Sequence, residues 1–257
     1  MQINNPFNAQ VYHEETVNST MEISRKFAEN GEPHGTVITA DFQQTGRGRI
    51  LDRKWEARKS ESLQFTILLR FWGIEKIPPA LTLRAGLAVS CAIEEFLPSL
   101  KNRIMIKWPN DIIIDSKKAA GILCEADGGT VHLGIGINVF QKEFPPHLKN
   151  KATSIVLAAV NKNFEPEDRF CLLEKILACL YKELETAKEN DWQNLLQQRL
   201  YKRGEKVAFA EGAAGSRLTI EGRLEGIGSG GELLIIPAGE EKVRAFVSGE
   251  LYVWGGG

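Results

Sequence analysis

The 257-residue sequence has few cysteines and histidines, and none of them forms a recognisable disulfide or metal motif. Neither CxxC nor HExxH is present, which argues against a disulfide-stapled secreted domain and predicts no dedicated metal site. The cysteines lie in apolar runs, so we interpret them as reduced core residues. They are Cys91, Cys124, Cys171 and Cys179.

The sequence also lacks a large net charge and long apolar runs. It has 32 Lys and Arg against 33 Asp and Glu, a formal charge of −1, so no overall basic field would hold nucleic acid. No segment approaches the roughly 18 apolar residues that span a bilayer, and the N-terminus does not resemble a secretory signal. We therefore expect a cytoplasmic protein that binds neither DNA nor a membrane.

The composition is typical of a folded protein with a large core, because hydrophobic residues make up 43% of the chain and charged residues 25%. Residues 1–200 mix helical patterns with strands joined by short turns, which predicts an α+β domain. Residues 201–257 are glycine-rich and contain four or five short alternating strands, which predicts a small second domain built as a β-barrel.

Several local signals place individual elements in the first domain. Ser19 and Glu22 match a capping box at the start of a helix. The run over 62–71 is long and apolar enough for a central strand, and 165–190 has the longest helical pattern. Gly128-Gly129 is a hairpin-turn signal between two further strands.

The segment 107–125 is the centre of the functional prediction. It contains KWPND, an apolar run, a polar turn and a second apolar run that begins near Lys118. A hairpin of this kind would bring Asp111 and Lys118 towards one ligand. Turn formation alone also explains the aspartate, and solvent exposure beside Lys117 would explain the lysine.

The loop GRGRILDRKW over 46–55 is a second candidate binding segment. Its glycines permit close backbone approach, and Arg47 and Arg49 supply forked donors for a phosphate or carboxylate. A solvated basic turn is the alternative for an isolated GRGR. The GIGIN segment, 134–138, lacks the context of a dinucleotide motif, so we interpret it as a strand packed beneath a ligand.

Taken together, these motifs resemble the biotin–protein ligases. The order is a Ser-Thr helix start, QQTGRGR, KWPND, a lysine seven residues after that aspartate followed by AAG, then GIGIN and a small C-terminal β-domain. The resemblance covers about Val17 to Trp254. It implies a catalytic domain over 1–200, related to class II aminoacyl-tRNA synthetases, and an SH3-like domain over 201–257.

The resemblance also implies a reaction. Biotin and ATP would form biotinyl-5'-adenylate, with Mg²⁺ accompanying the nucleotide, and the biotinyl group would pass to a lysine of the biotin carboxyl carrier protein or domain of a carboxylase. Catalytic roles would fall to Lys118, Asp111 and Arg49. The biotin-binding positions would be Ser19, Thr20, Gln43, Arg47, Gly48, Arg49, Lys118, Gly121 and Gly136. The ATP-binding positions would be Arg49, Trp55, Asn110, Lys118 and Asn138.

Two features depart from the family pattern. Ile50-Leu51-Asp52 replaces a later glycine of the loop, and Trp55 falls one residue late. Ser19 lies too near the N-terminus to leave room for a winged-helix DNA-binding domain, so we expect no repressor function. A lipoate–protein ligase and a non-catalytic biotin or nucleotide sensor remain alternatives, and the protein could be a monomer or a homodimer.

Overall fold

The first seven strands form one sheet in a computed structural model, in the order β1-β2-β3-β7-β6-β5-β4. The model describes residues 3–49, 55, 58–159, 164–186, 191–212 and 219–252. Strands β1 and β2 are parallel, and every other pair in this sheet is antiparallel. The strands are β1 Val11–Val17, β2 Thr36–Gln43, β3 Ser62–Arg70, β4 Ile104–Lys107, β5 Asp111–Ile114, β6 Lys117–Asp127 and β7 Thr130–Asn138.

Helices cover both faces of this sheet. The helix α1 packs against β2, β3 and β7, whereas α2 packs against β4, β5 and β6 on the opposite face, with α4 beside it. The helices are α1 Thr20–Glu29, α2 Leu81–Phe96, α3 Ile155–Ala158, α4 Asp168–Tyr181 and α5 Asp191–Arg199. In the described ranges, no helix is long and apolar enough to cross a membrane.

The central strand β3 is buried along almost its whole length, as its apolar sequence predicts. Phe65 and Ile67 enter the main core, which α2 and α4 share. Because side chains alternate between the two faces of a strand, the intervening Gln64 and Thr66 face α1 instead. The strand thus carries a polar row on one face and a hydrophobic row on the other.

The C-terminal part forms a separate five-stranded antiparallel sheet in the order β11-β10-β9-β8-β12. Its core includes Val207, Phe209 and Leu251. It contacts the first domain through Trp108, whose indole nitrogen donates to the Gly231 carbonyl at 3.0 Å. The strands are β8 Lys206–Glu211, β9 Thr219–Ile227, β10 Leu233–Pro237, β11 Arg244–Phe246 and β12 Gly249–Tyr252.

Most predicted elements are confirmed, including the hairpin at Asp115-Ser116 and the turn at Gly128-Gly129. The predicted long helix is shorter: α4 ends at Tyr181 and continues as a π-helical turn over Lys182–Thr186, while 187–190 lie outside the described residues. Strand β1 was not predicted, because it lies at the edge of the sheet and most of its residues are exposed.

Two side-chain predictions need correction. Ser19 caps α1, but it accepts from the Met21 amide, and Glu22 forms an ion pair with Arg47 instead of completing a capping box. The cysteine thiols are free as expected, yet none is a fully buried core residue and Cys171 is exposed. Burial raises the pKa of the Cys124 thiol to about 11, which leaves it protonated at neutral pH.

Candidate functional site

Two glycines form the floor of a cavity on the α1 face of the large sheet. The strand register places Gln64, Gly136, Gly121 and Asp111 side by side across β3, β7, β6 and β5. Neither glycine carries a side chain, so the backbone lies bare between the glutamine and the aspartate. With strands spaced about 4.8 Å apart, the two flanking residues are separated by roughly 14 Å of sheet.

One end of this floor carries a set of neutral polar side chains, three of them buried and Gln43 half-buried. We name this set the hydroxyl–amide cluster: Thr20, Gln43, Gln64 and Thr66. The amide and hydroxyl of Thr20 donate to Oε1 of Gln43 at 2.8 and 3.1 Å. The Thr20 and Thr66 hydroxyls lie 2.8 Å apart, and Nε2 of Gln43 donates to Oε1 of Gln64 at 2.8 Å. The cluster therefore joins α1, β2 and β3 without using a charge.

The other end carries an ion pair. Nζ of Lys118 lies 2.6 Å from Oδ1 of Asp111, and the two side chains are 39% and 21% exposed. Backbone bonds from Lys118 N to Lys151 O and from Thr153 N to Lys118 O fix the start of β6. The hairpin therefore brings the predicted acid and base together, as the sequence indicated.

The arginines of the GRGR loop are held by two different parts of the molecule. Arg47 lies 3.0 Å from Oε1 of Glu22 on α1. Arg49 donates to the carbonyl of Gly249 at 2.9 Å, so this loop also contacts the C-terminal sheet. Both arginines line the cavity.

The indole of Trp55 rests on the glycine floor. A Cβ atom added at Gly136 would lie 2.8 Å from Cε2 of this indole, and one added at Gly121 would lie 3.4 Å from Cζ3. The remaining cavity has a volume of about 70 Å³, far below the roughly 300 Å³ or more of typical ligand pockets. A sizeable ligand on this floor would have to displace the indole.

Nearly all the predicted site residues meet at this cavity. Those that line it are Ser19, Thr20, Gln43, Arg47, Gly48, Arg49, Trp55, Asn110, Lys118, Gly121 and Gly136. Asp111 adjoins it through Lys118. Asn138 does not line it, because its buried amide donates to the Thr153 carbonyl at 3.0 Å and accepts from Gln141.

The sequence interpretation missed Gln64 and Thr66, which belong to the hydroxyl–amide cluster. A signal for them existed, since Ser62, Gln64 and Thr66 alternate with apolar residues in an otherwise hydrophobic strand. The altered segment Ile50-Leu51-Asp52 lies outside the described residues. Among those that are described, no group of three or more His, Cys, Asp or Glu could hold a metal ion.

Comparison with known proteins identifies the family. A model of the biotin/lipoate A/B protein ligase family matches residues 14–140. The solved biotin protein ligase of Aquifex aeolicus, in complex with biotin and ATP, is 30% identical, with a TM-score of 0.76 over 94% of this chain and 97% of that one. The chain belongs to this family.

Curated relatives agree with this assignment. The bifunctional ligase/repressor BirA of Bacillus subtilis is 38% identical over 183 residues, which cover 67% of this chain and 52% of that protein. The biotin–[acetyl-CoA-carboxylase] ligase of Mycobacterium tuberculosis is 30% identical over 190 residues, covering 70% of this chain and 64% of that protein. The chain thus spans about half the length of the Bacillus relative.

The biotin/lipoate A/B protein ligase match includes every predicted site residue, from Ser19 to Asn138. The C-terminal sheet lies beyond it. The family model thus matches the part of the chain that builds the cavity, whereas the likeness to the Aquifex aeolicus structure extends over 94% of the chain.

Proposed function

We propose that this protein is an ATP-dependent biotin–protein ligase that forms biotinyl-5'-adenylate and transfers the biotinyl group to a lysine of a carrier domain. The observation that carries the proposal is the glycine floor, with a neutral hydrogen-bonding cluster at one end and the Lys118–Asp111 pair at the other. A biotin molecule has the matching polarity, with a neutral ureido ring at one end and a carboxylate at the other.

In the first step, a carboxylate oxygen of biotin attacks the α-phosphorus of ATP and pyrophosphate leaves. Two anions must meet, so fixed cations would reduce their repulsion and stabilise the charge that develops in the transition state. We assign this role to Lys118 and Arg49, which line the cavity. Mg²⁺ would accompany the nucleotide, held mainly by phosphate oxygens and water.

In the second step, the amine of the acceptor lysine attacks the acyl carbon of the adenylate, AMP leaves, and the nitrogen loses a proton. We assign Asp111 to hold the incoming amine, because its carboxylate lies beside Lys118 at the open end of the floor. The acceptor would be a biotin carboxyl carrier domain of a carboxylase. The adenylate is a mixed anhydride, so exclusion of water around it would limit hydrolysis.

The remaining site residues are assigned to biotin or to the nucleotide. Ser19, Thr20, Gln43, Gly121 and Gly136 would contact biotin, with Arg47 and Gly48 closing over it. Trp55 and Asn110 would contact the nucleotide once the indole leaves the floor. For Asn138 we keep a supporting role, since its hydrogen bond to the Thr153 carbonyl fixes the loop that pairs with Lys118.

The carrier-modification assay tests this function directly. Purified protein is incubated with ATP, Mg²⁺, a carrier domain and either biotin or lipoate, and the intact mass of the carrier is measured. We expect the carrier to gain one biotinyl group and AMP to be released, with no change in the lipoate reaction.

The controls in this assay separate the alternative functions. A carrier whose acceptor lysine is replaced by arginine should gain no mass. Addition of a lipoyl group alone would assign the protein to the lipoate branch of the family. Binding of biotin with no modification of the carrier would identify a sensor and overturn the ligase proposal.

We also propose that the C-terminal strands close as an SH3-like barrel and that the domain boundary lies at residue 200. The antiparallel order of the five strands and the start of β8 at Lys206 support this division. The relation of the first domain to class II aminoacyl-tRNA synthetases and the cytoplasmic location stay predictions from the sequence.

A further inference from the structure

The hydroxyl–amide cluster has a definite direction of proton donation. The single proton of the Thr20 hydroxyl is donated to Gln43, so the Thr66 hydroxyl must donate across the 2.8 Å contact to Thr20. Gln43 then donates from Nε2 to Oε1 of Gln64. Donation therefore runs in one direction, from Thr66 through Thr20 and Gln43 to Gln64.

This chain of hydrogen bonds ends in a donor that has no acceptor. Gln64 is 1% exposed, and its Nε2 is buried without a hydrogen-bond partner. Leaving a buried donor unpaired is costly, and this nitrogen has no acceptor within the described part of the structure. A ligand that brings an acceptor to this point would satisfy the group.

Gln64 is placed to meet such a ligand. It pairs in register with Gly136, so its side chain projects from the same face of the sheet as the glycine floor. Its partner Gln43 lines the cavity. Gln64 therefore lies beside Gly136, over which the Trp55 indole sits.

We propose that Gln64 determines the ligand specificity of this site by donating a hydrogen bond from Nε2 to the ureido oxygen of biotin. This inference rests on the proposed function. The ureido oxygen is a strong acceptor, whereas the thioether sulfur of the ring is a weak one. A dithiolane ring, such as that of lipoate, offers no oxygen at this end, and a buried amide left unpaired would discriminate against it.

The decisive variant is Gln64→Met, which keeps the length of the side chain and removes its polar atoms. Binding to the full chain is measured by calorimetry without ATP, so that no chemistry intervenes. We expect the Kd for biotin to rise about tenfold, as for the loss of one buried hydrogen bond. Desthiobiotin, which keeps the ureido oxygen, should lose affinity by the same factor.

An analogue whose ureido oxygen is replaced by sulfur completes the comparison. Its Kd should change little between the wild-type protein and Gln64→Met, because the weak acceptor gains little from the donor. Gln197→Met is the control, since Nε2 of Gln197 donates to the Ile227 carbonyl and neither residue lines the cavity. This substitution should leave biotin binding unchanged.

A second variant, Gln64→Glu, provides a readout that a packing role would not give. The ionised carboxylate still accepts from Gln43 but cannot donate to the ligand, whereas the protonated form can. We expect biotin affinity in this variant to recover as the pH falls, with no such recovery in Gln64→Met.

The outcomes distinguish the two proposals. If the wild-type protein does not bind biotin, the proposed function fails and this inference with it. If the wild-type protein binds biotin and Gln64→Met binds it equally well, only the role of Gln64 is overturned. Equal losses for biotin and for the thio-ureido analogue would reduce Gln64 to a packing residue.

Discussion

The two ends of the glycine floor differ in charge and in exposure to solvent. The hydroxyl–amide cluster is largely buried and neutral, whereas the Lys118–Asp111 pair is charged and partly open to solvent. Neutral polar groups can be buried cheaply when they satisfy one another, but buried charges require compensation. The protein thus keeps most of its neutral polar groups in the interior and leaves the charged pair partly exposed to solvent.

The two ends also differ in how the chain builds them. The ion pair comes from a single hairpin, because Asp111 begins β5 and Lys118 lies at the start of β6. The cluster brings together α1, β2 and β3, so it forms only when the tertiary fold does. We expect a substitution at the charged end to lower the rate of the reaction, and a substitution at the neutral end to weaken ligand binding.

The largest effect in this comparison is expected for Lys118→Ala. Removing a cation from the reacting carboxylate and α-phosphate should lower the rate of pyrophosphate release by about 10²- to 10³-fold. Biotin binding in the absence of ATP should change far less. The measurement is pyrophosphate release at saturating biotin and ATP.

Lys117→Ala is the matched control for this prediction, because Lys117 is the exposed neighbour on the same strand and does not line the cavity. It should retain nearly full activity. Normal pyrophosphate release by Lys118→Ala would remove the lysine from the first step, and equal losses in the two variants would point to bulk charge instead of a positioned cation.

A smaller effect is expected for Thr20→Val at the neutral end. This isosteric change removes the hydroxyl that links Thr66 to Gln43, while the bond from Gln43 to Gln64 remains. We expect the KM for biotin to rise about 10-fold or more, with kcat at saturating biotin nearly unchanged. A selective fall in kcat would contradict the assignment of the neutral end to ligand binding alone.

Thr45→Val is a suitable control for this variant, because Thr45 is exposed and its hydroxyl donates to the Asn18 carbonyl outside the cluster. Both proteins should unfold at similar temperatures. A KM increase of the same size in the control would attribute the effect to the loop between β2 and β3.

The difference between the two ends also explains what could be predicted from the sequence. The hairpin over 107–125 is local, so turn residues and the alternation of apolar runs indicated that Asp111 and Lys118 meet. The ring-end contacts of Thr20 and Gln43 came from the family resemblance. Gln64 escaped notice because its partner is distant in sequence and its strand is hydrophobic overall.

The position of Trp55 could not be predicted for a different reason. The sequence offered an aromatic residue beside a glycine-rich loop, but its placement on Gly136 depends on long-range packing against β7. The same limit applies to Arg49, whose bond to the Gly249 carbonyl joins residues 200 positions apart. Local patterns identify such residues as candidates and do not specify their contacts.

The smallest expected effect is a pH dependence of stability that arises at His132, which holds the helix that carries Thr20. Helix α1, which carries Thr20, is joined to β7 by a 2.8 Å hydrogen bond between the Ser24 hydroxyl and Nδ1 of His132. Burial lowers the pKa of His132, and the positive charge of Arg25 adds to this effect. The unfolded chain therefore takes up a proton at a higher pH than the folded protein does.

This difference makes the free energy of unfolding decrease as the pH falls below about 6.5, the ordinary pKa of histidine, because protonation then favours the unfolded state. We expect the Tm of the wild-type protein to fall more between pH 7 and pH 5 than that of His132→Gln, by a few degrees at most. If the Tm of His132→Gln shows the same pH dependence as that of the wild-type protein, protonation of His132 does not weaken the packing of α1. The hydroxyl–amide cluster would then not depend on pH through this histidine.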